Sequence, residues 1–171
     1  MVIVVTGEIG IGKTTVCRTV VSICRDCGLT YGGILSDKIE PGRIFIEDLT
    51  AGSRSLLAKK GRGLDGPCTA GYSFSLAGVE YGNRAIESAT SAFLVVVDEL
   101  GQLELRGCGF ARVLAMVTEY PLQHWVLVIR SQLLPSFVPH LPADVRTFET
   151  TTSTRDTLPQ RIVSLLFQQT R

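Results

Sequence analysis

A glycine-rich segment between an apolar run and a helical pattern is the feature that most restricts the fold of this chain. Residues 1–6 are mostly apolar and predict a buried strand, and apolar side chains recur at helical spacing over residues 14–27. The segment between them matches G-x-x-x-x-G-K-T, the Walker A pattern of a phosphate-binding loop. It consists of Gly7-Glu8-Ile9-Gly10-Ile11-Gly12-Lys13-Thr14.

Each part of this pattern has a chemical reason. Glycines allow successive backbone N–H groups to approach phosphate oxygens, and the start of the following helix adds the positive end of its dipole. We expect Lys13 to reach the β- and γ-phosphates, the Thr14 hydroxyl to ligate Mg²⁺, and Thr15 to lie against the nucleotide. The sequence therefore predicts that residues 7–15 bind a nucleoside triphosphate.

A second motif follows in the middle of the chain, where an apolar run ends in two carboxylates. It consists of Phe93-Leu94-Val95-Val96-Val97-Asp98-Glu99. Such a run predicts a strand covered on both faces, and ligands of open α/β sheets gather at the carboxyl ends of these strands. We expect Asp98 to hold Mg²⁺ through water, as a Walker B aspartate does, and Glu99 to orient or deprotonate an attacking water.

The remaining patterns alternate between strands and helices. Pro41-Gly42 is turn chemistry and predicts a β-hairpin from residues 29–36 and 43–49. Glycine-rich residues 58–71 predict a mobile surface loop. We expect further strands at residues 72–75, 125–129 and 145–148, and helices at residues 79–89 (beneath strand 93–97), 110–119 and 156–168. This order predicts a single domain spanning residues 1–171, an α/β three-layer sandwich with a mostly parallel sheet extended by the hairpin.

Strand 125–129 delivers Arg130 and Ser131 to the same edge of the sheet. At this position Arg130 or Ser131 is a candidate to sense the γ-phosphate or to stabilise charge on it, and an ordinary surface arginine is the alternative interpretation. Arg43 is a second candidate for the charge-stabilising role. No arginine of the chain is diagnostic for it.

The composition of the chain limits the kinds of partner that we expect it to bind. The net charge of +1 gives no electrostatic reason to expect a nucleic-acid surface or an anionic membrane. No apolar run has the length of a bilayer, and the chain opens on its first core strand, so we expect a cytoplasmic monomer. Cys24 and Cys27 form a lone C-x-x-C pair, and no second ligand pair completes a zinc site.

With these motifs placed, the chain resembles the small nucleoside-triphosphatase family first named from thermophiles, which includes the cancer-related nucleoside-triphosphatase. The segment that follows strand 93–97 is similar to the family's Asp-Glu-Ile-Gly-Lys-Met-Glu-Leu. Here it consists of Asp98-Glu99-Leu100-Gly101-Gln102-Leu103-Glu104-Leu105. Arg155-Asp156-Thr157-Leu158-Pro159 resembles a later stretch of the family, and this likeness implies a nucleotide-contacting role for Arg155.

The resemblance implies Mg²⁺-dependent hydrolysis of nucleoside triphosphates to diphosphate and phosphate, with broad base tolerance. Three positions depart from the family pattern. Gln102 stands where the family has lysine, Thr154 stands where it has asparagine, and Glu40 stands where its hairpin carries arginine. Asp98, Glu99 and Glu104 keep the pattern.

We therefore predict that Glu99, Lys13 and Arg130 act in slow intrinsic hydrolysis, which an unknown protein partner accelerates. A nucleotide or small-molecule kinase is the alternative, with Asp37 binding an acceptor hydroxyl and residues 59–62 acting as its lid. A nucleotide-gated adaptor, in which hydrolysis times the release of a partner, is a further alternative.

Overall fold

The computed structural model describes residues 1–168 and arranges them around one sheet of eight strands. The strands are β1 (Val2–Thr6), β2 (Tyr31–Asp37), β3 (Arg43–Asp48), β4 (Arg54–Lys60), β5 (Tyr72–Phe74), β6 (Leu94–Leu100), β7 (His124–Ile129) and β8 (Arg146–Glu149). The helices are α1 (Lys13–Asp26), α2 (Leu76–Ser88), α3 (Val113–Glu119), α4 (Leu134–Phe137) and α5 (Leu158–Gln168). Single 3₁₀ turns cover Ala89–Ser91, Glu104–Arg106 and Val138–His140.

The sheet has a parallel part and an antiparallel part. Its strand order is β5-β4-β3-β2-β6-β7-β1-β8. Strands β2, β6, β7, β1 and β8 run parallel to one another. From β2 the sheet continues in the other direction as an antiparallel meander of β3, β4 and β5. The expected β-hairpin is therefore confirmed as β2 and β3, and the sheet continues for two strands beyond it.

Helices cover both faces of the parallel part, which makes the expected three layers. Ile3 and Val5 of β1 pack in one core cluster with side chains of α1 and α5, whereas Val2 and Val4 pack in a second cluster that includes α2 and α3. Because successive strand residues point to opposite faces, both sides of β1 must be apolar. This double coverage explains the unbroken apolar run before the glycine-rich segment.

The prediction of a surface loop at residues 58–71 is wrong for its first three residues. Ala58, Lys59 and Lys60 complete β4 and pair with residues of both β3 and β5. Lys59 and Lys60 therefore belong to the sheet, and the expected kinase lid at residues 59–62 is wrong for these two residues. The rest of the segment contains turns and one isolated bridge between Cys68 and Ser73.

Helix α2 differs from its prediction in both its start and its packing. It begins at Leu76, because the Ser75 hydroxyl accepts a hydrogen bond from the amide of Gly78 at 3.2 Å and caps the first turn. Its contacts lie mainly with β2, β3 and β4 and only slightly with β6. A Cβ at Gly78 would lie 2.2 Å from the carbonyl oxygen of Leu56, so glycine permits this close approach to β4.

The last helix follows its prediction closely. Helix α5 begins at Leu158, so Pro159 occupies its first turn, where a missing backbone N–H costs nothing. No helix within residues 1–168 is both long and apolar enough to span a lipid bilayer.

Candidate active site

The carboxyl ends of three neighbouring parallel strands meet at one edge of the sheet. Strand β7 lies between β6 and β1, so the residues that follow it stand between the glycine-rich segment after β1 and the carboxylates of β6. Residues 7–14, called the phosphate loop below, thus face Asp98 and Glu99 across the residues that follow β7.

The backbone of the phosphate loop requires glycine at its two ends. Gly7 has φ +142°, and a Cβ there would lie 2.7 Å from the carbonyl oxygen of Thr150. Gly12 has φ +111° and is the N-cap of α1, which begins at Lys13. L-residues with side chains rarely adopt either conformation, so the backbone geometry of the loop favours glycine at both positions.

The Lys13 ammonium lies over the phosphate loop. Its Nζ donates hydrogen bonds to the carbonyl oxygens of Gly7 at 2.9 Å and Glu8 at 2.7 Å. Burial lowers the pKa of Lys13, and the nearby carboxylates of Glu99 and Asp98 act in the opposite direction. Because both of these hydrogen-bond acceptors are neutral carbonyls, the ammonium would gain stronger acceptors from phosphate oxygens in the loop.

Asp98 provides oxygen atoms suited to a hard cation. It is 1% exposed, and within residues 1–168 its Oδ1 has no hydrogen-bond partner. Its Oδ2 accepts a weak hydrogen bond from the amide of Ser36 at 3.4 Å. Burial and the charge of Glu99 raise the pKa of Asp98 to about 6, against the opposing effects of Thr14, Ser36 and Lys13.

Thr14 and Asp98 fit Mg²⁺ as a pair of oxygen donors. The Thr14 hydroxyl lies near enough to Asp98 to affect its pKa, and Oδ1 is a buried carboxylate oxygen without a hydrogen-bond partner among the described residues. The described residues contain no cluster of three or more His, Cys, Asp or Glu side chains able to hold a metal. Mg²⁺ in nucleotide sites is usually held by one or two protein oxygens, phosphates and water, so this sparse donor set fits it.

Glu99 and Arg130 form an ion pair at the edge of the sheet. The Arg130 Nε lies against Glu99 Oε1, and both side chains are partly exposed. The peptide bond between Asp98 and Glu99 is cis. The neighbouring Ser131 hydroxyl donates to Glu8 Oε1 at 3.2 Å, so the two residues after β7 connect Glu99 to the phosphate loop.

A buried carboxylate anchors the segment that follows Glu99. Glu104 is 6% exposed, and its two oxygens accept hydrogen bonds from the amides of Gly101 at 2.6 Å and Phe110 at 2.9 Å. The carboxylate thus closes residues 101–110 into a fixed loop. The motif resemblance included Glu104, but this anchoring role, like the contact of the Ser36 amide, has no signal in the sequence.

Arg155 lies beside the start of α1. A cavity of about 320 Å³ is lined by Gly12, Thr15, Val16, Thr19, Arg155, Asp156 and Pro159. The structure therefore brings Arg155 and Thr15 together at the outer side of the phosphate loop. This cavity adjoins the loop at Gly12, and Glu99 is not part of its lining.

Three other residues singled out in the sequence bond to partners outside the site. Arg43 is exposed and pairs with Glu40 at 2.8 Å, while the Asp37 carboxylate pairs with Arg18 at 2.8 Å. The Thr154 hydroxyl, in place of the family's asparagine, donates to the carbonyl oxygen of Glu149 at 2.9 Å. Arg130 is thus the arginine placed at Glu99, and Asp37 lies within an ion-pair network.

Comparison with known proteins agrees with this arrangement. A family model described as NTPase matches residues 2–163. The chain is 35% identical over 168 residues to nucleoside-triphosphatase THEP1 of Methanopyrus kandleri, covering 94% of this chain and 92% of that protein. It is 27% identical over 172 residues to nucleoside-triphosphatase THEP1 of Hyperthermus butylicus, covering 97% and 91%.

Two solved structures share the fold at lower identity. The crystal structure of THEP1 from Aquifex aeolicus superimposes with a TM-score of 0.71 and 22% identity, covering 97% of this chain and 99% of that one. The solution structure of a human cancer-related nucleoside triphosphatase superimposes with a TM-score of 0.78 and 20% identity, covering 99% and 98%. These likenesses confirm the predicted fold class.

Proposed function

The chain belongs to the NTPase family, and from this premise we propose that it hydrolyses nucleoside triphosphates, in the presence of Mg²⁺, to nucleoside diphosphate and phosphate. The observation that carries the proposal is the position of the Glu99 carboxylate. It lies across from the phosphate loop, and Arg130 and Ser131 connect the two. A general base beside the terminal phosphate is what attack by water requires.

In the proposed reaction the phosphate loop holds the polyphosphate. Backbone amides of residues 7–14 and the Lys13 ammonium bind the β- and γ-phosphate oxygens, with Lys13 leaving the carbonyls of Gly7 and Glu8 for the more strongly accepting phosphates. Mg²⁺, held by Thr14 and through water by Asp98, would neutralise charge on the β- and γ-oxygens.

Glu99 acts on the water. Its carboxylate orients a water in line with the γ-phosphorus and accepts one of its protons as the new P–O bond forms. The bond from the γ-phosphorus to the bridging oxygen breaks at the same time, and that oxygen leaves as part of the diphosphate. Lys13 and the loop amides stabilise the charge that develops there.

Arg130 accounts for slow intrinsic turnover. An arginine placed against the transferred phosphoryl group contributes about 10³- to 10⁵-fold in rate. Here Arg130 is held by Glu99, so full use of either side chain requires that this pair opens. We therefore propose that the protein turns over well below the roughly 1 to 100 per second of efficient phosphoryl-transfer enzymes, unless a partner moves Arg130.

Base tolerance follows from the surroundings of Arg155. The cavity beside α1 is small and open, and its side chains with polar atoms are Thr15, Thr19, Arg155 and Asp156. An exposed guanidinium packs against any base through its flat face, without reading the pattern of donors and acceptors. We therefore propose that ATP and GTP are both substrates.

A phosphate-release assay tests the proposal. With γ-labelled ATP and GTP, the protein is expected to release free labelled phosphate in the presence of Mg²⁺ and not with excess chelator. Lys13→Ala is expected to lose both binding and release, because it removes the ammonium that holds the β- and γ-phosphates. Label that appears on an added hydroxyl compound instead of as free phosphate would favour a kinase and contradict hydrolysis.

A further inference from the structure

A second cavity adjoins Glu99 and is separate from the phosphate loop. Its volume is about 370 Å³, within the range of about 300 to 1,000 Å³ typical of small-molecule sites. It lies between the antiparallel meander and the segment after β6, and Glu99 and Arg130 form part of its wall. No residue of the phosphate loop lines it, so the loop itself does not occupy it.

The inner wall of this cavity is apolar and packs against the hydrophobic core. Leu57 and Phe110 are 5% and 3% exposed, and Ile44, Phe74 and Leu133 pack against the same core cluster. These side chains come from different elements, so the apolar surface is concave instead of flat. Such a wall favours an aromatic or branched aliphatic group over a sugar or a free phosphate.

Among the described residues, the charged side chains that line the cavity have bonding partners except for one. Glu99 is paired with Arg130, and both oxygens of Glu104 accept backbone amides. Lys38, the remaining charged side chain of the lining, is exposed and has no hydrogen bond or ion pair within residues 1–168. The cavity therefore presents one unmatched ammonium beside an apolar wall.

We propose that this cavity is the binding site of a second small molecule, an organic anion with an aromatic or branched apolar body. The body lies on the partly exposed side chains of Ile44, Phe74 and Leu133, and the anionic group contacts Lys38. An anion here also weakens the ion pair of Arg130 with Glu99 while Arg130 stays at the edge of the sheet, which frees the carboxylate for the attacking water. This acceleration of hydrolysis rests on the proposed function, whereas binding at the cavity does not.

Binding is tested with anilinonaphthalene sulfonate, a fluorescent aromatic anion. The titration is made with saturating Mg²⁺ and ADP, which keep the probe out of the phosphate loop. Fluorescence is expected to increase with saturation at one probe per chain. Lys38→Ala is expected to weaken binding about tenfold through loss of the charge pair.

Two further variants locate the probe. Ala70 is exposed at the rim of the cavity, so Ala70→Phe places a ring inside it without enlarging a buried side chain and is expected to abolish binding. Lys60→Ala removes an exposed lysine of β4 outside the cavity and is expected to bind as the parent does. ADP affinity measured on each variant shows that it is folded.

The possible outcomes test binding at the cavity and its effect on hydrolysis separately. Equal binding of the probe by the parent, Lys38→Ala and Ala70→Phe, or no binding at roughly millimolar probe, overturns the site. With saturating ATP, the probe is expected to raise phosphate release at least about twofold in the parent and not in Lys38→Ala. Binding without any change in release would overturn the effect on hydrolysis, and absent hydrolysis in all samples would contradict the proposed function alone.

Discussion

Asp98 is a buried carboxyl group, and burial in the folded protein favours its neutral, protonated form. Its burial raises its pKa to about 6, whereas in an unfolded chain the carboxyl has its ordinary pKa of 3.8. Between these two values the folded protein holds a proton that the unfolded chain has lost. The stability of the metal-free protein should therefore fall as pH rises from about 4 to about 6, and stay at the lower level above that.

Asp98→Asn tests this electrostatic cost. The variant keeps the size of the side chain and removes the buried charge, so its free energy of unfolding without Mg²⁺ should exceed the parent's near pH 8 by on the order of 1 to 3 kcal/mol. Urea denaturation near pH 4.5 and near pH 8 measures the difference. Identical pH dependence in the two proteins would show that Asp98 is not the group responsible. The same variant should lose Mg²⁺-dependent phosphate release.

Arg130 offers a second test with single substitutions. Arg130→Ala frees Glu99 but also removes the cation that would stabilise charge on the transferred phosphoryl group. The second effect is the larger one, so the hydrolysis rate at saturating nucleotide should fall about 10- to 1,000-fold. Nucleotide affinity should change much less, because Lys13 and the loop amides remain.

A matched control is available for Arg130. Arg112 is likewise an arginine in an ion pair, with Glu119 at 3.1 Å, and it lines neither of the two cavities. Arg112→Ala should hydrolyse ATP as the parent does. Equal rates in Arg130→Ala and Arg112→Ala would remove Arg130 from the mechanism.

Among the elements, the segment between β6 and α3 holds Glu99 in place through one buried side chain. In Glu104→Gln the amide keeps a single oxygen acceptor for the two backbone amides of Gly101 and Phe110. Leaving one amide unsatisfied should cost about 1 to 3 kcal/mol of stability.

The kinetic effect of Glu104→Gln distinguishes positioning from simple loss of stability. Displacement of residues 101–110 should lower kcat while KM for ATP changes less than about twofold, since the phosphate loop is not touched. Glu80→Gln, on the exposed face of α2, is the matched control and should change neither constant. Proportional changes in kcat and KM from Glu104→Gln would argue against a positioning role.

The elements also show how far the sequence predicts this molecule. The parallel strands β1, β6 and β7 are buried on both faces, so they can be recognised in the sequence as apolar runs. Strand β4 does not, because only Leu57 and Ala58 are buried in it and its exposed ends carry arginine and lysines. Its place in the sheet depends on pairing with β3 and β5, which no local pattern encodes.

The site shows the same division between local and long-range information. The turn at residues 7–14 and the start of α1 at Lys13 were predictable because the Walker A pattern places its glycines and lysine at consecutive positions with a fixed spacing. The pairing of Glu99 with Arg130 and the cavity next to them depend on strand order, since β7 is inserted between β6 and β1. Arg130 was a candidate from its strand end, but its partner was visible only in the folded chain.

For the whole molecule, bound nucleotide would connect β1, α1, β6 and the start of α5 through one ligand. At about 100 times its Kd a ligand adds about 2.7 kcal/mol, which raises the Tm of a chain this size by roughly 5 to 11 °C. Non-hydrolysable ATP and GTP analogues with Mg²⁺ should give shifts within about 2 °C of each other. A shift with one analogue alone would contradict base tolerance.

The most direct test of the account is single-turnover hydrolysis by Glu99→Gln, with nucleotide binding measured on the same samples. Glutamine keeps the shape of the side chain but cannot accept the proton, so the rate should fall at least about 100-fold. Affinity for ATP with Mg²⁺ should stay equal to the parent's or rise, since Arg130 loses its competing carboxylate. Undiminished hydrolysis by this variant would contradict the assignment of Glu99 as the base.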